Sequence, residues 1–319
     1  GVGLSLIGSA ALAQSVAPPD VTPSSAQVSS ADDTSVQTLP SVTVKAQADR
    51  NELTGEADPV VRLIDFHTPA NNRFHAINQF RIDTPGRLKE HIRPDIVLFV
   101  NGLPFAVVEC KEANAFTSNP VTDAIEQLAR YTNQRESTHD AGLDEGEERL
   151  FHTNQLQIVS CGSEARYGTI SSAPEHYLAW KSIYPEQYAD YALPLGEERA
   201  QERLIQGMLP PETLLDIVRN FTLYMDVGDT RIKTVCRYQQ YRAVGRILAR
   251  LQTGKTAEER SGVVWHTQGS GKSLTMVFLV RKLRTVATLK DYKLLMVNDR
   301  TDLEDQLGKT AHLTGEKPQ

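Results

Sequence analysis

Arg93-Pro-Asp-Ile-Val-Leu-Phe-Val-Asn-Gly-Leu-Pro-Phe-Ala-Val-Val-Glu-Cys-Lys111 consists of two apolar runs joined by a turn. An aspartate opens the first run, and Glu-Cys-Lys closes the second. Asn-Gly between apolar runs is a strong hairpin signal. Both runs are nearly continuously apolar, so the strands Asp95–Val100 and Pro104–Cys110 are expected to be buried on both faces. The turn then sets a register condition. A plain two-residue loop Asn101-Gly102 would set Asp95 opposite Val108 and turn Glu109 to the other face. Asp95 and Glu109 share a face only if the loop has an odd number of residues or the ladder is bulged. A three-residue loop Asn101–Leu103 with left-handed Gly102 would satisfy the condition.

The chemistry of the three charged residues makes that condition matter. Two neighbouring carboxylates form a hard-oxygen site for Mg²⁺ that leaves positions open for water and phosphate. Phosphodiester hydrolysis needs such an ion, an activated water and charge neutralisation. Asp95 and Glu109 are the candidate ligands. Glu109 and Lys111 are two apart on a strand and point the same way, so Lys111 can position the attacking water. Cys110 is expected to face the core, with its carbonyl as a further candidate ligand. Charged ends of a solvated hairpin are the ordinary reading of a bare Asp…Glu-x-Lys. Three charges on one side of a buried pair of strands argue for a use.

Around this hairpin the chain alternates. Val61–Phe66 and Phe74–Ile82 read as strands separated by the turn cluster Thr68–Asn72. Asn119–Asn133 reads as a helix with an apolar stripe of Ala124, Ile125, Leu128 and Ala129, and it carries Gln127 and Tyr131 on one face. Thr138–Glu148 reads as an exposed acidic loop. Leu156–Ser160 and Arg166–Ile170 read as strands, and Glu175–Tyr184 as a partly buried extended segment. From about Leu195 the chain reads helical, with Gly196–Met208, Pro211–Tyr224 and Arg237–Leu251 as helices.

Farther on, a strand Gly262–His266, the loop Gly269-Ser-Gly-Lys-Ser273, a helix Lys272–Arg284 and a strand Lys293–Val297 predict the opening of a parallel α/β sheet. The loop has a mechanism. Its glycines let backbone N–H groups of Gly269, Ser270 and Gly271 face phosphates at a helix N-terminus. Lys272 would reach the β and γ phosphates of ATP, and Ser273 would hold Mg²⁺. His266 stands where the full phosphate-loop pattern has glycine.

Composition bounds the reading. The 319 residues suffice for roughly two domains. With 34 Lys+Arg against 40 Asp+Glu the chain is mildly acidic, which excludes a bulk electrostatic DNA clamp but not a local basic groove. Cys110, Cys161 and Cys236 have no zinc-site spacing and form no even disulfide framework, which suits the cytosol. Gly1–Ala13 looks like the tail of a secretory signal peptide and is too short to span a bilayer. The following stretch to residue 60 is rich in Ser, Thr, Pro and Ala and reads as a disordered or extended tail. Within it Leu39-Pro-Ser-Val-Thr-Val-Lys-Ala46 resembles the start of mature TonB-dependent outer-membrane receptors. A low-complexity leader is the equal alternative.

Residues 61–190 resemble the PD-(D/E)xK nuclease domain of the restriction (R) subunit of type I restriction–modification enzymes. The resemblance is carried by Asn78-Gln-Phe80, Arg93–Pro104 and Val108-Glu-Cys-Lys111. It implies catalytic roles for Asp95, Glu109 and Lys111. Gln127 and Tyr131 match a Gln-x-x-x-Tyr motif that supports the site or contacts DNA in related nucleases. Trp265–Met276 resembles motif I of the same subunit's superfamily 2 motor, which makes His266 the family's own variation. Arg237–Arg242 resembles its upstream glutamine segment, with Gln240 placed to contact adenine, and Asp299–Leu303 resembles the next motor motif.

The expected architecture is therefore α/β. It comprises a signal-like, disordered leader (1–58), a PD-(D/E)xK nuclease domain (59–190), a helical linker (191–234) and a truncated RecA-like motor lobe (235–319). The motor's Asp-Glu motif and its arginine-bearing motifs are not in the sequence, so nucleotide binding without efficient hydrolysis is the expectation. The implied function is Mg²⁺- and ATP-dependent cleavage of double-stranded DNA in the cytoplasm, together with methyltransferase (M) and specificity (S) subunits and away from membranes. A stand-alone repair or defence nuclease–helicase is one rival. An exported binding protein or inert fusion bearing the receptor-like leader is another.

Overall fold

The computed structural model describes residues 46–50, 57–112, 119–139, 141–184, 199–267, 269–295 and 312–314, with side chains from residue 62 onward. The signal-like run, most of the receptor-like segment and Asp299–Leu303 lie outside the described residues.

The central hairpin is β6 (Ile96–Val100) and β7 (Leu103–Cys110) of a five-stranded mixed sheet. Before it come β1 (Ala46–Arg50) and β2 (Ala57–Val61), an antiparallel pair; β3 (Phe74–Asn78); and the short pair β4 (Ile82–Asp83) and β5 (His91–Ile92). After it come helix α1 (Pro120–Tyr131), β8 (Leu156–Cys161) and β9 (Glu164–Gly168). The sheet order is β3-β6-β7-β8-β9, with β7 and β8 parallel and the other pairs antiparallel. The parallel step needs a crossover, and α1 supplies it.

The pattern that forms α1 also docks it. Asn119 caps its N-terminus by accepting from the Thr122 N–H at 3.2 Å, and Pro120 occupies the first turn. Val121, Ala124, Ile125, Leu128 and Tyr131 recur at helical spacing and pack on Val97, Phe99, Val107, Val159 and Cys161 of the sheet. Each fully buried aliphatic side chain here contributes about 2 kcal/mol. This face of β6 and β7 is the one that carries Asp95 and Glu109.

Several expectations change. Residues 46–50 and 57–61, read as leader and strand onset, form the paired strands β1 and β2. Val61–Phe66 is no strand beyond its first residue. The Asp65 carboxylate accepts from the N–H groups of His67 and Thr68 at 2.9 Å and bends the chain into a 3-10 turn, Pro69–Asn71. The stretch 138–148 is not an exposed loop throughout. After the short helix α2 (Glu136–His139), Glu145 and Glu147 are buried, the first paired with Arg135 and the second with Arg149.

The helical region contains a hairpin that periodicity missed. Helices α3 (Ala200–Met208) and α4 (Pro211–Asn220) are followed by β10 (Thr222–Val227) and β11 (Thr230–Val235), then by α5 (Tyr238–Thr253) and the short α6 (Ala257–Arg260). β-rich runs around Gly228-Asp229 were the available signal. Helix α7 (Lys272–Thr285) forms where expected. The strand expected at Gly262–His266 does not form, nor does any strand over 293–295; Met296 and Val297 lie outside the described residues. A buried central strand needs a ladder partner on each side, and among the described residues none lies beside these runs. Val263, Trp265 and Leu295 are correspondingly exposed.

Ser41–Gln319 is one compact unit, and its sheet and helical parts share a core. Tyr167 of β9 donates from its hydroxyl to the Cys236 carbonyl at 2.8 Å, and Trp180 packs edge-on to Tyr167 and tilted against Tyr241. Gly207 lets α3 approach this seam, because a Cβ there would overlap the Ser182 carbonyl oxygen.

Candidate functional site

The hairpin turn is a two-residue loop. Val100 pairs with Leu103, and Asn101 and Gly102 both have positive φ, 52° and 83°. That is the turn type whose twist matches the strands. The three-residue loop is thus not used, and a bulge supplies the odd residue. Phe99 pairs with Pro104 and Leu98 with Ala106, which leaves Phe105 as the extra residue. Proline has no N–H to give to the ladder, and a bulge tolerates it. Beyond the bulge Ile96 pairs with Val108, so Asp95 comes opposite Glu109 on the α1 face.

Each oxygen of Asp95 accepts one hydrogen bond. Oδ2 accepts from the Cys110 N–H at 2.8 Å, and Oδ1 accepts from the Gln79 side-chain amide at 2.6 Å. Glu109 is 3 % exposed. Its Oε1 accepts from Lys111 Nζ at 2.8 Å, and its Oε2 is buried with no hydrogen-bond partner. Burial pushes the Glu109 carboxyl up to about 7, against the opposing hydrogen bond from Lys111. Lys111 itself is part-exposed, so the ion pair opens to solvent on one side. Cys110 lies on the other face, half-buried, its thiol pushed up to about 11 by burial.

Helix α1 reaches this centre from above. Gln127 donates from its amide to the Tyr131 hydroxyl at 2.8 Å, and Tyr131 donates to the Arg93 carbonyl at 3.1 Å. The Gln-x-x-x-Tyr pair therefore ties the helix to the backbone two residues ahead of Asp95. Tyr131 is buried, which pushes its hydroxyl up to about 12 and gives it a bracing position rather than an exposed one.

A divalent cation fits this donor set. Two carboxylates on one face offer hard oxygens, and one of those oxygens is buried without a partner, which costs free energy until something binds it. Among the described residues no group of three or more His, Cys, Asp or Glu side chains could hold a metal. The site would thus leave most positions of an octahedral ion to water and phosphate.

At the second candidate site Gly269 and Gly271 are both left-handed, with φ of 75° and 80°, and Gly271 is the N-cap of α7. A Cβ at Gly271 would also press on the Gln240 amide. Gln240 is buried and bridges two segments. Its Oε1 accepts from the Arg237 N–H at 2.8 Å, and its Nε2 donates to the Gly271 carbonyl at 2.9 Å. Ser270 donates to the Thr267 carbonyl at 2.6 Å. Lys272 is exposed and Ser273 half-buried on the first turn of α7. One residue of the loop, Gln268, lies outside the described residues.

A two-carboxylate centre on a mixed sheet, followed along the chain by a glycine loop at a helix N-terminus, defines a nuclease-like region joined to an ATPase-like one. Residues 25–176 match the family model for the type I restriction enzyme R protein N terminus, and residues 239–319 match that for the SWI2/SNF2 ATPase. The chain is 37% identical over 255 residues to the type I restriction enzyme HindI endonuclease subunit of Haemophilus influenzae, covering 79% of this chain and 22% of that protein. It is 27% identical over 263 residues to a putative type I restriction enzyme endonuclease subunit, MjaIXP, of Methanocaldococcus jannaschii, covering 77% and 23%. A Staphylococcus aureus type I endonuclease subunit matches at 25% over 256 residues, covering 79% and 23%. Over most of its length the chain is similar to type I restriction enzyme endonuclease subunits, and it spans about a fifth of the length of the curated relatives it matches. The family match begins at residue 25, inside the stretch read from sequence as a signal-like, disordered leader.

One residue at the acidic centre was not singled out as functional from sequence. Gln79 lies in the Asn78-Gln-Phe80 segment that carries the family resemblance, but no spacing rule foretells a glutamine turned back onto Asp95.

Proposed function

We propose that this chain carries the Mg²⁺-dependent DNA-cutting centre and the ATP-binding segment of a type I restriction R subunit. In this reading residues 59–190 form a PD-(D/E)xK nuclease domain, 191–234 a connector and 235–319 part of a RecA-like motor lobe. The observation that supports it best is the pairing of Asp95 with a buried Glu109 whose Oε2 has no partner. Bound there, Mg²⁺ would neutralise phosphate charge and acidify a water. Asp95 and Glu109 would hold the ion, and Lys111, whose Nζ donates to Glu109 at 2.8 Å, would orient the attacking water. Gln127 and Tyr131 keep the Arg93 carbonyl, and with it the start of β6, in place.

At the motor segment Lys272 would reach the β and γ phosphates of ATP, and Ser273 would hold the nucleotide's Mg²⁺. The N–H groups of Gly269, Ser270 and Gly271 would face the phosphates. Gln240 stands next to that loop, and to contact adenine its amide would have to release the Arg237 N–H or the Gly271 carbonyl. The substrate is double-stranded DNA, with sequence choice left to the methyltransferase and specificity subunits in the cytoplasm. No helix among the described residues is long and apolar enough to cross a membrane.

Lys111→Ala in the full-length subunit tests the reading. Cleavage should fall about 10²–10⁴-fold, with DNA binding and circular dichroism unchanged. Undiminished cleavage would remove the site assignment.

A further inference from the structure

Three non-glycine residues among those described have positive φ, and they are not alike. Asn101 and Asn133 are of the residue type that tolerates the left-handed region, because the short side chain can bond nearby backbone. Gln79, at φ 52°, is one methylene longer and has no such local compensation. Something outside the residue must hold it there, and such conformations persist where the surroundings over-determine them.

The surroundings are the acidic centre. β3 pairs with β6 up to Asn78 opposite Ile96, and at the next residue the chain turns. The Gln79 N–H donates to the Asp95 carbonyl at 2.7 Å, and Arg93 Nε donates to the Gln79 carbonyl at 3.5 Å. The left-handed turn swings the Gln79 side chain back over β6, where its amide donates to Asp95 Oδ1 at 2.6 Å. Cys110 N–H already holds Oδ2. Two donors on two different oxygens fix the plane of the carboxylate, which a single bond would leave free to rotate. Each oxygen keeps a lone pair, and Glu109 lies across the ladder with its own unpartnered oxygen.

We propose that Gln79 is a positioning residue of the acidic centre, spending left-handed backbone strain to lock the Asp95 carboxylate for a divalent cation shared with Glu109. This rests on the function proposed above and adds to it a residue acting through Asp95. Partners of this kind orient metal ligands, and their loss weakens metal affinity about 10–100-fold.

The test separates the side chain from the backbone. Gln79→Gly relieves the left-handed strain and removes the amide. Gln79→Asn suits the left-handed region equally but is too short to reach Asp95 Oδ1. In the full-length subunit, Mn²⁺ alone is titrated by electron paramagnetic resonance, and cleavage is measured against metal concentration, with Asp95→Ala in parallel. Both Gln79 variants should keep or raise the unfolding midpoint, weaken Mn²⁺ binding about tenfold, and shift the metal dependence of cleavage to match. Mn²⁺ affinity within twofold of the parent in both variants, with Asp95→Ala abolishing binding, would overturn the role of Gln79 alone. Unchanged Mn²⁺ binding in Asp95→Ala would overturn the site reading and this inference with it.

Discussion

Asp95, Glu109 and Lys111 gather three charged groups at the ends of a buried hairpin. Glu109 is buried, keeps one oxygen without a hydrogen-bond partner, takes a hydrogen bond from the part-exposed ammonium of Lys111, and faces the charge of Asp95. A buried carboxylate in that state is unfavourable unless a second positive charge arrives. The hydroxyl of Tyr131 acts at the same scale. Tyr131→Phe deletes one donor and leaves the Arg93 carbonyl and the Gln127 amide without their partner, at a cost of about 1–3 kcal/mol. If the brace holds Asp95 in place, cleavage falls a further ten- to a hundredfold, since small misplacements are expensive. Urea unfolding and single-turnover cleavage on the same variant read the two effects. Cleavage at the parental rate in a destabilised variant would reduce Tyr131 to a packing residue.

At the scale of elements, the β6–β7 hairpin decides which charges meet. Asn101 does more than turn the chain. Its Oδ1 accepts from the Arg73 N–H at 2.7 Å, and its Nδ2 donates to the Leu63 carbonyl and to Asn72 Oδ1, both at 2.8 Å. Asn101→Ala loses these three bonds and forces a Cβ-bearing residue without a polar side chain into positive φ. Destabilisation by about 2–4 kcal/mol follows, read from the urea midpoint. Asn101→Gly keeps the turn and should recover only the backbone part. Equal stability of the Ala and Gly variants would show that the side-chain bonds, not the φ, dominate.

The bulge belongs to the same scale. The register argument needed an odd residue somewhere, and sequence could name the loop or the ladder without choosing. The choice was made by contacts outside the hairpin. The carbonyls of Pro104 and Phe105 accept from Thr153 Oγ1 at 3.1 Å and the Gln155 N–H at 2.7 Å, which satisfies the backbone exactly where the ladder is interrupted. Those partners are 49 and 50 positions away along the chain, beyond the reach of any local pattern.

At the scale of the molecule, Lys233 pins the β10–β11 hairpin to the sheet. It is buried, and its Nζ donates to the Asn154 carbonyl and to Gln155 Oε1, both at 2.7 Å, with no carboxylate nearby in its bonds. Burial lowers its ammonium to about 8 from an ordinary 10.5. The folded state therefore binds this proton less tightly than the unfolded one. Its unfavourable contribution is full below pH 8 and is relieved as pH rises from about 8 towards 10.5. Stability against urea should rise between pH 7.5 and about 9.5 in the parent, and Lys233→Met should flatten that slope. Carbon-13 resonances of dimethylated Lys233 titrating at about 10.5 would sink the prediction.

Much of the fold was legible where apolar spacing is regular. α1, α5 and the strands of the central hairpin follow directly from such runs, and α7 from its place after the glycine loop. Thr222–Val235 was hidden because it sits between two strong helices and its strands are half exposed, so no apolar face announces them. Gly262–His266 misled in the opposite sense. Its residues are those of a strand, but a strand exists only through its partners.

What the sequence determined by itself is which groups are available. It places two carboxylates and a lysine at the ends of buried runs, a glutamine and a tyrosine four apart on one helix, and glycines before a Lys-Ser pair. Side-chain period within one element is local and can be counted. What only the tertiary structure decided is which of these groups face one another. Asp95 meets Glu109 because a bulge at Phe105 shifts the ladder by one, and Gln79 reaches Asp95 because a left-handed residue ends β3. Both depend on pairings between segments far apart in the chain, where a single residue of register turns every side chain to the opposite face.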